Sequence, residues 1–135
     1  MTVGYSGTPL AKKLGIKYNF NVSILNSPNH YDRLFSDWPE HVKHVDEPTH
    51  ESLDFIHVFC KEDDDLKHAA NQIPHLKKSG MLWVSWPKGK SKIESSLNRD
   101  VIREYFLNAG LVDVKVAAID EDWSGLKFVY RLKDR

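Results

Sequence analysis

Polar side chains able to hold a ligand stand at the ends of several predicted strands in this sequence. Asn26, Lys61 and Lys88 each close an apolar run, and the acidic stretch between the last two runs adds Asp120 and Trp123. A lysine ammonium binds phosphate or carboxylate, and a tryptophan ring can cover a planar group. These residue types indicate a site for a small anionic or nucleotide-like ligand. The alternative is that the lysines are solvated and Trp123 packs over the edge of the sheet.

A short helix predicted from Thr8 to Leu14 would add backbone donors to such a site. Ser6 can cap this helix, and Gly15 stands where a helix commonly ends in a left-handed residue. The N–H groups of Gly7 and Thr8 at the start of the helix suit a phosphate or carboxylate. The alternative is that Ser6 only caps the helix.

The predicted elements alternate between strands and helices along most of the chain. In order, they are a helix over 8–14, a strand over 20–26, a helical or irregular piece over 29–38, a weak strand over 42–45, a strand over 54–60, a helix over about 62–78 that Pro74 kinks or breaks, a strand over 81–86, a helix over 98–109 and strands over 112–119 and 126–132. Alternation of this kind requires right-handed crossovers and a parallel sheet. The last two strands alternate apolar and polar residues, which predicts an antiparallel hairpin.

We therefore expect a single α/β domain over residues 1–135. Its sheet would be mostly parallel and Rossmann-like, with helices on both faces and a C-terminal antiparallel hairpin, as in methyltransferase-like folds. Ligands of such sheets bind beyond the carboxyl ends of the parallel strands. The candidate residues above would then meet at that edge.

The sequence lacks residues that several common nucleotide-binding sites require. Gly89-Lys90-Ser91 resembles the end of a phosphate-binding loop, but Val84 stands where its first glycine belongs, which excludes a nucleoside triphosphatase of that type. No glycine follows the first strand, although dinucleotide and adenosylmethionine sites normally need glycines there. Asp46 and Glu47 do lie where a ribose-binding acid would stand.

Histidine and cysteine side chains add no further site. His41, His44 and His50 fall in a segment with little regular pattern and no cysteine, so we predict no metal site and leave their role open. His57 lies inside a buried strand and is interpreted as a hydrogen-bonded core residue. Cys60 has no activating base near it in the sequence.

The overall composition restricts the kinds of partner and the compartment that we expect for this protein. The 135 residues carry 19 basic and 19 acidic side chains, and this balance argues against binding of nucleic acid through a broad basic surface. A single cysteine excludes an internal disulfide and fits a reducing compartment. The sequence has neither a leader-like amino terminus nor an apolar stretch long enough for a membrane. We expect a cytoplasmic protein with no membrane partner.

Three segments carry a family resemblance: GYSGTPLAKKLGI from Gly4 to Ile16, LWVSWPK from Leu82 to Lys88, and GLVDVKVAAIDEDWSGLKFVYR from Gly110 to Arg131. They resemble a bacterial family of small proteins known only as a domain of unknown function. The resemblance covers nearly the whole chain and is weakest over 29–52. It implies a bacterial cytoplasmic protein with an α/β fold, and it supplies no activity, cofactor or catalytic residue.

Three functions follow as hypotheses. The first is binding of a small anionic or nucleotide-like ligand at the carboxyl edge of the sheet. The second is a non-catalytic module for interaction or regulation with a protein partner, which the missing glycines favour. The third is an adenosylmethionine-dependent methyltransferase. The sequence identifies neither a catalytic residue nor a cofactor, and it leaves open whether the protein is an enzyme.

Overall fold

Strands and helices alternate through the described part of the chain, residues 8–135 of the computed structural model. The elements are α1 (Leu10–Leu14), β1 (Asn21–Leu25), β2 (Lys43–His44), β3 (Leu53–Phe59), α2 (Asp63–Ala70), β4 (Leu76–Pro87), α3 (Arg99–Asn108), β5 (Leu111–Ala118) and β6 (Trp123–Tyr130). Short 3₁₀ turns cover Tyr31–Leu34, Ile73–His75 and Leu132–Asp134. No helix in this part of the chain combines the length and the apolar character needed to cross a bilayer.

The strands form one six-stranded sheet in the order β2-β1-β3-β4-β6-β5. Strands β2, β1, β3 and β4 run parallel. Strand β6 lies between β4 and β5 and runs antiparallel to both. Because β5 is thereby parallel to β4, the β5–β6 turn lies at the carboxyl edge of the parallel strands. The predicted fold class, a mostly parallel sheet with a C-terminal antiparallel hairpin, is confirmed.

Helices cover both faces of the sheet, as predicted. On one face, Leu66 of α2 and Ile102 and Phe106 of α3 are buried in a core with the inward side chains of β3, β4 and β6. On the other face, Leu14 of α1 and Tyr31 pack with Trp83 and the opposite side chains of the strands. We call this second side the α1 face.

The α2 helix ends earlier than expected, at Ala70 rather than near Lys78. Pro74 has no N–H group with which to continue a helix and lies in the 3₁₀ turn before β4. The backbone N–H of Glu51 donates to the Pro74 carbonyl at 2.9 Å, which draws this segment alongside the start of β3. Strand β4 therefore begins at Leu76, five residues before its predicted start at Met81.

Strand β5 departs from the regular alternation that the sequence predicts for its valines. The register shifts between Asp113 and Lys115, as in a β-bulge. Beyond the shift, Val114 and Val116 turn outward and are 53% and 51% exposed. A bulge on an edge strand also disrupts the row of free backbone groups that would otherwise invite pairing with another chain.

Candidate functional site

A side-chain contact spans the carboxyl edge of the sheet. Nε2 of His30, in the segment after β1, lies 2.8 Å from Oδ2 of Asp120, in the β5–β6 turn. The Asp120 side chain is 11% exposed and the His30 side chain 38%, so the pair sits at the surface with its carboxylate sheltered. Asp120 was predicted for this site from the sequence, whereas His30 was not. The signal for His30 was its place in the segment after the first strand, a common position for functional residues in α/β sheets.

Asp120 also organises the turn that carries it. Its Oδ1 accepts hydrogen bonds from the backbone N–H groups of Asp122 at 2.8 Å and Trp123 at 2.9 Å. Aspartate side chains commonly close turns in this way. The turn is therefore short, and β6 begins at Trp123 rather than at the predicted Leu126.

Lys88 is held against the same turn. Its backbone N–H donates to the Asp122 carbonyl at 2.8 Å, and the Ser91 hydroxyl donates to Oδ1 of Asp122 at 2.9 Å. These contacts bring the end of β4 and the β5–β6 turn together. Lys88 itself is half-buried, and no carboxylate pairs with its ammonium among residues 8–135.

Helix α1 reaches this edge through a side chain and not through its backbone donors. The ammonium of Lys13 donates to the carbonyl of Ala118, the last residue of β5, at 3.0 Å. The first-turn N–H groups of Ala11 and Lys12 both donate to the carboxylate of Asp37 at 3.1 Å. Asp37 thus occupies these first-turn donors, whereas the N–H of Gly7, which the sequence analysis gave to an anion together with that of Thr8, lies outside the described residues, and that interpretation stays a prediction.

The structure describes Thr8, Asn26 and Trp123 among the other residues predicted for this edge. Ser6 and Gly7 lie outside the described residues, and Thr8 is exposed at the start of the described chain. Asn26 is exposed and adopts a left-handed conformation with φ of 57°. Trp123 is only 4% exposed and packs edge-on against Phe59, with ring centroids 5.0 Å apart. Its ring is part of the core and offers no open face, which is the alternative that the sequence analysis kept.

Lys61 belongs to a separate part of the edge. Its carbonyl accepts from the Ser95 hydroxyl at 2.6 Å and the Ser96 N–H at 3.2 Å, which joins the ends of β3 and β4. An open groove of about 530 Å³ lies here. The groove is lined by Glu62, Asp63, Asp64, Glu94, Ser95 and Ser96. These acidic side chains make the groove a poor place for an anion.

A polar chain runs through the core below the edge. Tyr31 Oη lies 2.9 Å from Nδ1 of His57, and Nε2 of His57 lies 2.7 Å from Oγ of Ser85. His57 and Ser85 are fully buried and Tyr31 nearly so. Burial lowers the pKa of His57 to about 3, and burial followed by the charge of Asp32 raises the pKa of Tyr31. His57 is thus a neutral, hydrogen-bonded core residue, inaccessible to a substrate.

The thiol and the other histidines form no second centre. Burial, followed by the charge of Asp65, raises the pKa of the buried Cys60 thiol to about 12. His41 contacts the ring edge of Tyr18, and His50 pairs with Glu51 at 2.9 Å. Within residues 8–135, no group of three or more His, Cys, Asp and Glu side chains is arranged to hold a metal ion.

His44 lines a small cavity instead. It stacks on Trp38 with an interplanar angle of 10° and a centroid distance of 5.5 Å. Together with Asp32 and Phe35, these rings enclose about 290 Å³ beside β2 on the α1 face. Asp46, an acid that a ribose would need, follows β2 and is exposed.

The fold and the position of this edge define a class, the methyltransferase-like Rossmann fold. A SAM-dependent methyltransferase from Aquifex aeolicus has 12% identity and a TM-score of 0.60, over 88% of this chain and 86% of that one. A 1,6-didemethyltoxoflavin-N1-methyltransferase from Burkholderia thailandensis gives 12% and 0.56, over 88% and 73%. The [4+2]-cyclase SpnF gives 8% and 0.58, over 90% and 78%. Identities this low show the shared fold alone.

The family follows from the sequence itself. This chain belongs to the family described as protein of unknown function (DUF3052), whose model matches residues 12–132. The match confirms the resemblance inferred from the sequence. No curated protein matches the chain.

Proposed function

We propose that this protein binds a small anionic ligand, with a phosphate or carboxylate group, at the carboxyl edge of the sheet beside the β5–β6 turn. The observation that carries the proposal is the attachment of Lys88 to the turn that also holds the His30–Asp120 contact. Three segments distant in sequence thereby meet beside the backbone of Lys88, whose ammonium pairs with no carboxylate among residues 8–135.

Two of the three carboxylates in the β5–β6 turn beside Lys88 are already engaged within the chain. Asp120 already accepts from two backbone N–H groups and contacts His30, and Asp122 accepts from the Ser91 hydroxyl. The ammonium of Lys13 lies near enough to Lys88 for their charges to interact. An incoming phosphate or carboxylate would therefore meet the ammonium of Lys88, with the positive charge of Lys13 nearby, and a charge-assisted contact is stronger than a neutral hydrogen bond.

Adenosylmethionine is the second candidate ligand. The methyltransferase from Burkholderia thailandensis, which shares the fold, was solved with bound S-adenosylhomocysteine. No glycine follows β1 here, but Asn26 has the left-handed conformation that a glycine would supply, and asparagine tolerates it better than most residues. The conformation of Asn26 therefore supports a loop that follows a path similar to that of the glycine loop in adenosylmethionine sites. The side chain of Asn26 nevertheless lies where the backbone of such a loop approaches the ligand closely.

A ligand panel measured by thermal shift and then by calorimetry tests both candidates. It should contain inorganic phosphate, sugar phosphates, mononucleotides, dicarboxylates, adenosylmethionine and adenosylhomocysteine. A ligand present at about a hundred times its Kd stabilises by about 2.7 kcal/mol, which shifts the melting temperature by several degrees. We expect the shift with phosphate-bearing or carboxylate-bearing compounds.

Matched lysine variants locate the site. Lys88→Ala should weaken binding roughly tenfold or more, because it removes a charge-assisted contact. Lys90→Ala changes an exposed lysine two residues away and should leave affinity within about twofold. A response to the adenosyl compounds alone would replace the proposal with the methyltransferase hypothesis. A flat panel would overturn both and favour the interaction module.

A further inference from the structure

A row of lysines leads away from the proposed site along the α1 face. Its members come from α1, the segment after it, the end of β4 and the two hairpin strands. They are Lys13, Lys17, Lys88, Lys115 and Lys127. We call this set the lysine row.

Contacts bring three of these residues, Lys13, Lys115 and Lys127, close together. Lys115 on β5 and Lys127 on β6 are direct cross-strand partners in the register. The ammonium of Lys115 donates to the carbonyl of Lys13 at 2.9 Å, at the end of α1. The ammonium of Lys127 lies beside Gly15, 3.8 Å from where a Cβ would stand on that residue. The end of α1 is therefore surrounded by cationic side chains.

The charges of the row act on one another. Burial lowers the pKa of Lys13, and the charges of Lys115 and then Lys88 lower it further. Burial also lowers the pKa of Lys127, and the charges of Lys115 and then Lys17 add to this. The contacts place Lys13 between Lys115, whose ammonium donates to its carbonyl, and the β5–β6 turn, where its own ammonium donates to Ala118 and where Lys88 is held.

Three lysines of the row have no acidic partner within residues 8–135. Within residues 8–135, no ion pair joins Lys17, Lys115 or Lys127 to an acidic side chain, and residues 1–7 contain no aspartate or glutamate. Like charges directly opposite each other on neighbouring strands are destabilising. The overall charge is zero, so the compensating acids lie elsewhere, for example in the groove beside α2. A group of neighbouring cations that includes Lys115 and Lys127, which lack acidic partners within residues 8–135, is the arrangement that a multiply charged anion would stabilise.

We propose that the ligand of the carboxyl-edge site carries a linear chain of phosphates, which starts at Lys88 and runs along the lysine row towards Lys127. This inference rests on the proposed function and names the class of its ligand. A single phosphate has too few charges to use a row of this length, whereas an oligophosphate presents one negative group after another. Nucleoside triphosphates and inorganic polyphosphate share this chemistry.

A single-stranded nucleic acid fits the row less well. Proteins that bind such strands normally add exposed aromatic rings on which bases stack. Among residues 8–135, Tyr18 is the one aromatic residue among the exposed large hydrophobic side chains, and its ring already contacts His41. The row is also a local feature of a chain with no net charge.

Calorimetry with phosphate chains of increasing length tests the inference on the full chain. The titrants are orthophosphate, pyrophosphate, tripolyphosphate, ATP and a twelve-residue oligothymidylate, each measured at two salt concentrations. Affinity should rise with chain length, by roughly tenfold from orthophosphate to tripolyphosphate, and its salt dependence should steepen as more lysines are engaged. ATP and tripolyphosphate distinguish a nucleotide from a bare phosphate chain.

Two variants separate this inference from the proposed function. Lys127→Met keeps the aliphatic stem and removes the far charge, so it should weaken tripolyphosphate roughly tenfold and change orthophosphate by less than about twofold. Lys67→Ala on α2, an exposed lysine on the opposite face, is the control and should change neither. Melting curves verify that each variant is folded.

The outcomes are distinct. Equal affinity for orthophosphate and tripolyphosphate, with no effect of Lys127→Met, would overturn the phosphate chain and leave the Lys88 site standing. Loss of every phosphate interaction would overturn both proposals. Tighter binding of the oligothymidylate than of tripolyphosphate, weakened by Lys127→Met, would instead assign the lysine row to nucleic acid.

Discussion

His30 and Asp120 are separated by 90 positions in the sequence, yet Nε2 of one lies 2.8 Å from Oδ2 of the other. The contact joins the segment after β1 to the turn of the C-terminal hairpin, across the carboxyl ends of β3 and β4. Tyr31, the next residue, is buried against His57 and Phe59 of β3, which holds this segment on the α1 face. The segment after β1 thus covers the carboxyl edge of the sheet, although the pairing of the strands does not depend on it.

Asp120 should matter more for stability than His30. Asp120→Ala leaves the N–H groups of Asp122 and Trp123 without their acceptor, at a cost of about 1–3 kcal/mol. His30→Ala removes only a partly exposed contact and should cost at most about 1 kcal/mol. Asp120→Asn keeps an oxygen acceptor for the turn and should fall near His30→Ala. Urea unfolding measures all three, and equal losses for His30→Ala and Asp120→Ala would contradict this assignment.

Gly125 should not tolerate a side chain. A Cβ at this position would stand 3.0 Å from Cδ1 of Ile119 and from Cε3 of Trp83 in the core. Gly125→Ala should therefore lower the free energy of unfolding by about 1–3 kcal/mol. Gly89→Ala is the matched control, because a Cβ there meets no atom within 4 Å. Equal free energies of unfolding for the two variants, measured with denaturant, would show that the core around Gly125 rearranges to accommodate a Cβ.

Stability should fall in mild acid because of His57. Its pKa is about 3 in the folded chain, against 6.5 for an unburied histidine. Below pH 6.5 the imidazole of His57 is therefore protonated in the unfolded chain, whereas in the folded chain it stays neutral down to about pH 3. The contribution is present above pH 6.5 and is lost as the pH falls, by up to about 1.4 kcal/mol per pH unit.

The variant His57→Gln isolates this effect from that of the carboxylates. Glutamine keeps hydrogen-bonding groups between Tyr31 and Ser85 but does not titrate. The free energy of unfolding of the variant, measured from pH 7 to pH 4, should fall less steeply with pH than that of the parent. The difference in slope should correspond to the uptake of up to one proton on unfolding. Parallel curves would mean that His57 is protonated in the folded state.

Cys60 should be protected from thiol reagents in the folded protein. It is fully buried, and its pKa of about 12 leaves little thiolate at neutral pH. Labelling by a disulfide reagent should proceed through unfolding and be roughly a thousandfold slower than in denaturant. Rapid stoichiometric labelling without denaturant would show that the end of β3 opens locally.

The sheet could be predicted from the sequence because its signals are local. The nearly continuous apolar runs around Ile56 and Val84 are typical of strands that are covered on both faces. The alternation of apolar and polar residues around Phe128 identifies the hairpin. Boundaries were wrong where a single contact decides them. The start of β4 depends on Pro74 and on its bond to Glu51, and the start of β6 depends on the Asp120 turn.

The site was only partly predictable because it depends on the path of the chain between elements. Lys88 and Asp120 follow from the rule that ligands bind at the carboxyl edge. His30 does not, because its contact requires the segment after β1 to cross two strands. The lysine row was hidden as well, since Lys13, Lys115 and Lys127 become neighbours only after α1 packs on the hairpin. A net charge of zero concealed their local excess.

The position of β6 has a consequence for synthesis on the ribosome. Although β6 follows β5 in the chain, it lies between β4 and β5 in the sheet. Until residues up to Tyr130 have left the exit tunnel, β4 has an open edge of backbone donors and acceptors, flanked by apolar side chains such as Val84. Such an edge can pair with other nascent chains. The nascent protein should therefore depend on chaperones until β6 has emerged, and codon changes that slow elongation through β6 should increase aggregation.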